Sequence, residues 1–170
     1  AGIMRPWKPV VLGEDDPPSS VLGHAYAIGA SAIRAGCDYF FRPQVEGWRW
    51  HEVGFEVALP MPALAAPVQL RNAAAAIAAL RALDLGIEPE AIARGVARAR
   101  VPGRLQRLVR DGVEVVVDVG HNPQAARELA AWLDATPVAG RTHAGFAALD
   151  DKDVVGVAAA LGERIDLWWL

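Results

Sequence analysis

The stretch Val115–Leu133, VVVDVGHNPQAARELAAWL, decides the predicted fold because its pattern changes from strand to helix across a short polar turn. Three consecutive valines up to Val117 are typical of a strand that is buried on both faces of a parallel sheet. Asn122 is a favourable helix N-cap, and Pro123 suits the first helical position. Apolar residues then recur at the spacing of one buried helical stripe, at Ala126, Leu129, Ala130 and Leu133.

The polar turn between this strand and this helix is the first candidate site. Asp118 ends the strand, and His121 stands just before the helix. In open parallel sheets, ligands bind beyond the carboxyl ends of the strands, and a helix N-terminus there favours an anion. The turn therefore predicts an anion-binding site.

Composition limits the classes of function. The chain has 170 residues, 53% of them hydrophobic, which is enough for a buried core in one or two domains. A net charge of -3 argues against a nucleic acid partner and against an anionic membrane surface. The single cysteine, Cys37, excludes an internal disulfide, fits a reducing cytoplasm and is expected to be a small core residue. No apolar run reaches the roughly 20 residues of a membrane helix.

The first part of the chain combines helices with aromatic strands. We predict a short strand in Lys8–Leu12 and a helix over Val21–Gly36. Trp48 and Trp50 share one face of a predicted strand, and packing against a helix is the favoured interpretation. Three runs rich in aromatic and branched residues predict antiparallel strands, at Cys37–Pro43, Gly47–Val53 and Gly54–Pro60.

A domain boundary is predicted at about Val101, dividing the chain into residues 1–101 and 102–170. Before it, two helices are predicted over Gln69–Gly86 and Glu88–Arg100. After it, the pattern runs strand, strand, helix, strand, helix, strand, which favours a parallel sheet with crossover helices. The chain begins, at AGIMRPW, without a capping or strand-starting signal, and it stops inside a predicted buried strand, RIDLWWL at Arg164–Leu170. We therefore expect a fragment of a longer protein.

Five polar residues are candidates for chemistry: Asn72, Arg104, Asp118, His121 and Lys152. Each has an ordinary structural explanation when it is taken alone, such as a turn residue, a surface ion pair or a structural hydrogen bond. Their combination and order along the chain make a functional interpretation the stronger one.

The sequence resembles the folylpolyglutamate synthase and dihydrofolate synthase family of the Mur ligase superfamily. PGRLQ is followed, fourteen residues after Arg104, by DVGHNPQAA, which is similar to the family pattern PGR-[FL]-[EQ] … D-x-A-H-N-P-x-[AG]. Gly120 departs from the alanine that is common there. Further similar stretches follow in family order: AGIMRPWKPVVLG, QLRNAAAAIAAL and LDDKDV.

The resemblance implies an α/β fold, with the end of a Mur-ligase-type ATPase domain followed by the start of a Rossmann-like C-terminal domain with a mostly parallel sheet. It implies an ATP-dependent ligase of folate biosynthesis and one-carbon metabolism, which adds L-glutamate to dihydropteroate or folate through an acyl phosphate. ATP and Mg²⁺ are the implied cofactors. The implied partners are these small molecules, and neither a nucleic acid nor a membrane is expected. The resemblance also implies a monomer that is located in the cytoplasm.

The resemblance also implies a role for each candidate residue. Asn72 would read the adenine edge, and Asp118 would accept hydrogen bonds from ribose hydroxyls. Arg104 would place positive charge on the transferred phosphoryl group, and His121 would donate to a phosphate oxygen or to the acyl intermediate. Lys152 would pair with a carboxylate of the incoming glutamate.

Two parts of the family pattern are missing from the sequence. No phosphate loop of the form G-T-N-G-K-[GT]-S occurs, and the modified lysine that binds magnesium would precede Ala1, so no metal ligand is predicted. We expect the chain alone to be inactive. A non-catalytic nucleotide-binding or assembly module is the alternative, other Mur-type ligases stay possible, and an NAD enzyme is disfavoured because G-x-G-x-x-G is absent. The sequence does not separate dihydrofolate synthase, folylpolyglutamate synthase and a bifunctional enzyme.

Overall fold

A computed structural model describes residues 2–64 and 66–169. The described residues alternate between helices and strands, which confirms the predicted α/β class. The strands are β1 Pro9–Leu12, β2 Ser31–Arg34, β3 Tyr39–Pro43, β4 Trp48–Glu52, β5 Phe55–Leu59, β6 Gln106–Arg110, β7 Val113–Val117, β8 His143–Gly145 and β9 Leu167–Trp169. The helices are α1 Ser19–Ala27, α2 Val68–Ala82, α3 Pro89–Arg98, α4 Pro123–Ala135 and α5 Val154–Leu161, with a 3₁₀ turn at Gly162–Arg164.

The described chain divides into two compact units. The first comprises Ala1–Ala63 and Gln69–Ala99, and the second comprises Leu64–Val68 and Arg100–Leu170. The division after Ala99 lies close to the boundary predicted at Val101. The assignment of the two units to an ATPase domain and a Rossmann-like domain stays a prediction.

In the first unit, the three aromatic runs form the predicted antiparallel sheet, with strand order β3-β4-β5. β1 and β2 form a separate parallel pair, in which Val11 lies opposite Ile33. The loop between β4 and β5 is a tight turn at Val53 and Gly54, and Gly54 adopts a left-handed φ of 78°. Such a turn favours glycine because a Cβ is disfavoured there.

The core of this unit is built around two tryptophans of β4. Trp48 and Trp50 are both 0% exposed and share one strand face, as predicted. The Trp50 ring stacks on Tyr39, with centroids 5.9 Å apart, and its Nε1 donates a hydrogen bond to the Ala74 carbonyl of α2 at 3.1 Å. The predicted packing of this strand face against a helix is therefore confirmed.

The predicted helix over Val21–Gly36 is wrong in its second half. Helix α1 ends at Ala27, and Gly29 then adopts a left-handed φ of 69°. The next residues become strand β2, whose backbone pairs in parallel with β1. The left-handed glycine ends the helical pattern, and hydrogen bonding to β1 then outweighs the helical spacing of the apolar residues.

In the second unit, the order of elements is the predicted strand, strand, helix, strand, helix, strand. Helices α4 and α5 pack through Ala126 and Ala130 on one side and Val157 and Leu161 on the other. The stripe of α4 is thus the buried face, as predicted from its spacing. Strands β8 and β9 form a parallel pair, which supplies the crossover arrangement expected around α5.

The prediction that Val115–Val117 is buried on both faces is wrong. β7 pairs in antiparallel fashion with β6, and in that hairpin Val115 and Val117 are 40% and 41% exposed. Asp111 and Gly112 form its two-residue turn, with φ of 53° and 79°. An Asp-Gly pair between apolar runs is a strong hairpin signal, and here it marks the turn between β6 and β7. The run of valines favoured a buried parallel strand instead.

Two further predictions about burial are also wrong. Cys37 is exposed rather than part of a core. At β9, which was predicted to be buried, Leu167 is 42% exposed and Trp169 is 63% exposed. Across residues 2–64 and 66–169, every helix is too short or too polar to cross a lipid bilayer.

We predict that Trp50→Phe lowers the free energy of unfolding by about 2 kcal/mol, because it removes the hydrogen bond to Ala74 and leaves a small cavity. Denaturant unfolding followed by far-ultraviolet circular dichroism measures this change without relying on tryptophan fluorescence. Trp7→Phe is the matched control, since Trp7 is 83% exposed, and it should change stability by less than about 0.5 kcal/mol. Equal effects of the two substitutions would contradict the central role of Trp50.

Candidate functional site

The candidate site is the turn between β7 and α4, in the second unit. Asn122 adopts extended backbone angles and caps α4, because its Oδ1 accepts a hydrogen bond from Ala125 N at 2.9 Å. Pro123 occupies the first helical turn, as predicted. The remaining unpaired N–H groups at this helix end give it partial positive charge.

The Asp118 carboxylate joins this turn to a second segment. Its Oδ1 accepts from Gly120 N at 2.7 Å, and its Oδ2 accepts from Leu105 N at 2.9 Å. Asp118 is therefore bound on both oxygens by backbone N–H groups, one inside the turn and one thirteen residues earlier. The charge of the carboxylate strengthens both hydrogen bonds.

Gly103 brings the earlier segment into contact with the turn. Its carbonyl accepts from Val119 N at 2.8 Å. Gly103 has a left-handed φ of 70°, and a Cβ added to it would lie 2.6 Å from Val119 Cγ1. Both the backbone conformation and the close approach favour glycine here. The segment Pro102–Leu105 and the turn Asp118–Asn122 thus form one connected structure.

Arg104 lies between two anchored neighbours in this structure. Gly103 and Leu105 are both buried, whereas Arg104 is exposed. Within the part of the chain that the structure describes, the Arg104 guanidinium makes no hydrogen bond and no ion pair. A guanidinium with five N–H donors on a fixed backbone is suited to binding an anion.

The two ring nitrogens of His121 have different surroundings. Nδ1 lies 3.1 Å from the Val119 carbonyl oxygen. A carbonyl oxygen only accepts hydrogen bonds, so Nδ1 carries the proton in this contact. Nε2 is then left for a ligand; it accepts when the ring is neutral and donates when the ring is an imidazolium. His121 braces its own turn through one nitrogen and keeps the other available.

Lys152 lies next to the N-terminus of α5. Asp153 caps that helix, since its Oδ1 accepts from Gly156 N at 2.8 Å. A Cβ added to Gly156 would lie 2.7 Å from Pro123 Cγ, so the first turns of α5 and α4 are in contact. The Lys152 ammonium forms an ion pair with the neighbouring Asp151 at 2.7 Å. Its predicted contact with a substrate carboxylate stays a prediction.

Asn72 is the one predicted site residue in the first unit. It lies in the first turns of α2, is exposed, and donates through Nδ2 to Gln69 Oε1 at 3.2 Å. The structure therefore brings Arg104, Asp118 and His121 together within one unit. The proposed adenine contact of Asn72 stays a prediction.

Two residues of the site were missed from the sequence. Leu105 is 5% exposed and adopts a left-handed φ of 44°, which is uncommon for a residue with a branched side chain. Gln106 Oε1 accepts from Gly103 N at 3.1 Å and closes the segment from its other end. The spacing Gly-x-x-Gln is a weak signal for such a contact, and the conformation of Leu105 has no signal in the sequence.

Among residues 2–64 and 66–169, no group of three or more His, Cys, Asp or Glu side chains is placed to hold a metal ion.

Comparison with known proteins gives consistent matches. Residues 103–170 match the family described as Mur ligase, glutamate ligase domain. Over 170 residues the chain is 38% identical to a dihydrofolate synthase/folylpolyglutamate synthase of Escherichia coli, covering 99% of this chain and 39% of that protein. The corresponding protein of Haemophilus influenzae is 31% identical, with 99% and 42% covered. The chain spans about two fifths of the length of these curated relatives.

Solved structures agree with the sequence matches. The structure of E. coli FolC in complex with DHPP and ADP has a TM-score of 0.86 and 37% identity, covering 99% of this chain and 40% of that one. The Mycobacterium tuberculosis folylpolyglutamate synthase complexed with ADP and AMPPCP has a TM-score of 0.76 and 28% identity, covering 94% and 38%.

We predict that Gly103→Ala destabilises the protein by about 3 kcal/mol, because it adds both left-handed strain and a clash with Val119. Gly112→Ala is the matched control: its φ is 79°, but nothing lies within 4 Å of the added Cβ. We expect the control to cost only the strain, about 1 kcal/mol. Thermal unfolding measures both variants.

A second substitution identifies the source of the extra cost. Val119→Ala in the Gly103→Ala background removes the clashing Cγ1 and should recover part of the lost stability. Equal destabilisation by Gly103→Ala and Gly112→Ala would show that the close approach of Gly103 to Val119 adds no cost beyond the backbone strain.

Proposed function

The chain belongs to the dihydrofolate synthase/folylpolyglutamate synthase family of the Mur ligases, and we propose that the complete protein is an ATP-dependent ligase. In this proposal it joins the amino group of L-glutamate to a carboxyl group of dihydropteroate, of folate or of both. ATP supplies the phosphoryl group that activates the carboxylate as an acyl phosphate.

One observation carries the proposal: Arg104, Asp118 and His121 stand on one hydrogen-bonded structure with an exposed guanidinium and a free imidazole nitrogen. The connection runs through Leu105 N to Asp118 and through Val119 N to Gly103. Positive charge held in a fixed position stabilises charge that develops on a transferred phosphoryl group. Arg104 supplies this charge in our proposal, and the N-terminus of α4 adds its partial charge.

Asp118 has two functions in the proposed site. Each carboxylate oxygen has more than one acceptor position, and one on each is occupied by a backbone N–H. The remaining positions can accept hydrogen bonds from ribose hydroxyls. Asp118 would thus orient the nucleotide while it holds the segment that carries Arg104.

The other proposed contacts are carried over from the family pattern. Asn72 would contact the adenine edge and Lys152 a glutamate carboxylate. Relatives support the nucleotide and the metal, because one solved structure of a folylpolyglutamate synthase/dihydrofolate synthase holds Mn, AMPPNP and L-glutamate. We include Mg²⁺ in the reaction without assigning it ligands from this chain. A monomeric state and a cytoplasmic location complete the proposal.

A ligation assay with the complete protein tests the function. We expect ATP, Mg²⁺ and L-glutamate to convert dihydropteroate, a reduced folate or both into a product one glutamyl residue heavier, detected by mass spectrometry. The relative rates with the two acceptors decide between the dihydrofolate synthase, folylpolyglutamate synthase and bifunctional forms. ATP binding without a product from either acceptor would instead support the non-catalytic nucleotide-binding module.

We predict that His121→Asn lowers the turnover number by about 100-fold, equivalent to about 3 kcal/mol, with little change in melting temperature. The asparagine amide can still donate to the Val119 carbonyl, but it does not extend to the position of Nε2. Removing a group aimed at charge in the transition state lowers turnover more than it lowers ATP affinity. Steady-state kinetics and thermal unfolding of the same preparation measure both quantities.

The matched variant is His121→Ala, which removes the brace as well as Nε2. It should lose the same turnover and also some thermal stability. A fully active His121→Asn enzyme would show that the imidazole serves only to brace the turn.

A further inference from the structure

The segment around Arg104 has an unusual backbone. Gly103 and Leu105, on either side of Arg104, both have left-handed φ values, 70° and 44°. A left-handed conformation costs a residue with a Cβ about 1–2 kcal/mol. Strain of this kind persists where surrounding contacts over-determine the conformation, and it is concentrated at functional positions. The contacts that hold this segment therefore determine how the Arg104 side chain is positioned.

Burial and two hydrogen bonds from the turn hold one side of the segment. The Leu105 side chain is buried, and its backbone N–H donates to Asp118. The Gly103 carbonyl accepts from Val119 N. These contacts fix the carbonyl of the residue before Arg104 and the N–H of the residue after it, but they leave the N–H of Gly103 to another partner.

That partner is the side chain of Gln106, the first residue of β6. Its Oε1 accepts from Gly103 N at 3.1 Å, so the side chain reaches back across Arg104 to the other end of the segment. The amide oxygen is thereby engaged with the backbone. Because this oxygen is already hydrogen-bonded, the geometry does not favour its direct contact with a nucleotide. It indicates instead that Gln106 controls the conformation of Arg104, which lies between the two ends of the segment.

We propose that Gln106 is a positioning residue for Arg104: its side-chain hydrogen bond to Gly103 N locks the strained segment that presents the guanidinium to the transferred phosphoryl group. This inference rests on the proposed ligase function for the role of Arg104. Its structural part, that Gln106 holds the segment, is independent of any reaction.

The test compares two substitutions at position 106 in the complete protein. Gln106→Met keeps an unbranched side chain of similar length and removes the acceptor, whereas Gln106→Glu keeps an acceptor. We expect Gln106→Met to lower kcat about tenfold, equivalent to about 1.4 kcal/mol, with a smaller change in KM for ATP. Gln106→Glu should stay within about threefold of the wild type. Gln44→Met is the control, because Gln44 is an exposed residue whose side chain makes no hydrogen bond to any described residue.

A double-mutant cycle with Arg104→Ala separates positioning from a general structural effect. If Gln106 acts through Arg104, Gln106→Met should have little further effect on kcat once the guanidinium is gone. Rates are normalised to the folded fraction of each variant, so a loss of stability alone does not imitate the result. An undiminished tenfold loss in the Arg104→Ala background would overturn the proposal.

Amide hydrogen exchange tests whether Gln106 holds the segment, and it needs no measurement of turnover. We expect Gln106→Met to accelerate exchange at Gly103 and Arg104, while Gln106→Glu and the Gln44 control leave it near the wild-type rate. Unchanged exchange in Gln106→Met would overturn the positioning role even in an active ligase. If the wild-type protein makes no glutamyl product while Gln106→Met still accelerates exchange at Gly103, the ligase function is rejected and Gln106 is retained as the residue that holds the segment.

Discussion

The Asp118 carboxylate, with a backbone N–H bound to each oxygen, is the interaction on which the rest of the site depends. One N–H belongs to Gly120 in the turn before α4, and the other belongs to Leu105 in the preceding segment. Hydrogen bonds to a charged group are each worth about 1.5–3 kcal/mol, more than neutral ones. The bond from Leu105 N offsets the left-handed conformation of that residue. The two bonds together bring Arg104 and His121, which are seventeen positions apart in sequence, onto one structure.

This arrangement explains how a small polar turn can combine rigidity with free binding groups. Backbone groups, the Asn122 and Asp118 side chains and His121 Nδ1 make the internal hydrogen bonds. The groups left over, the Arg104 guanidinium and His121 Nε2, are those with the charge or the proton chemistry that a phosphate ligand requires. Because the internal contacts are made before any ligand arrives, binding would cost little reorganisation, which is the condition for effective electrostatic stabilisation.

Sequence patterns predicted the elements whose causes are local. Asn122 and Pro123 identified the start of α4 because a cap depends on neighbouring residues, and the period of Trp48 and Trp50 identified a shared strand face. Prediction was wrong where pairing between distant strands decided the outcome, as when β2 paired with β1. The pattern of strand, polar turn and helix identified Asp118 and His121 as candidate site residues. It did not predict the hydrogen bonds that these residues make within the turn. The conformation of Leu105 depends on a carboxylate thirteen residues away, and no local pattern encodes that contact.

Gly120 affects the position of the Asp118 carboxylate. A Cβ there would lie 2.8 Å from Asp118 Oδ1 and 2.9 Å from Ala125 Cβ, so an alanine requires the carboxylate or the first turn of α4 to move. Glycine removes that requirement and lets the carboxylate approach the turn N–H to 2.7 Å. Since Asp118 also holds Leu105, a shift of its carboxylate would be transmitted to the segment that carries Arg104. The identity of residue 120 is therefore coupled, through the Asp118 side chain, to the position of the guanidinium.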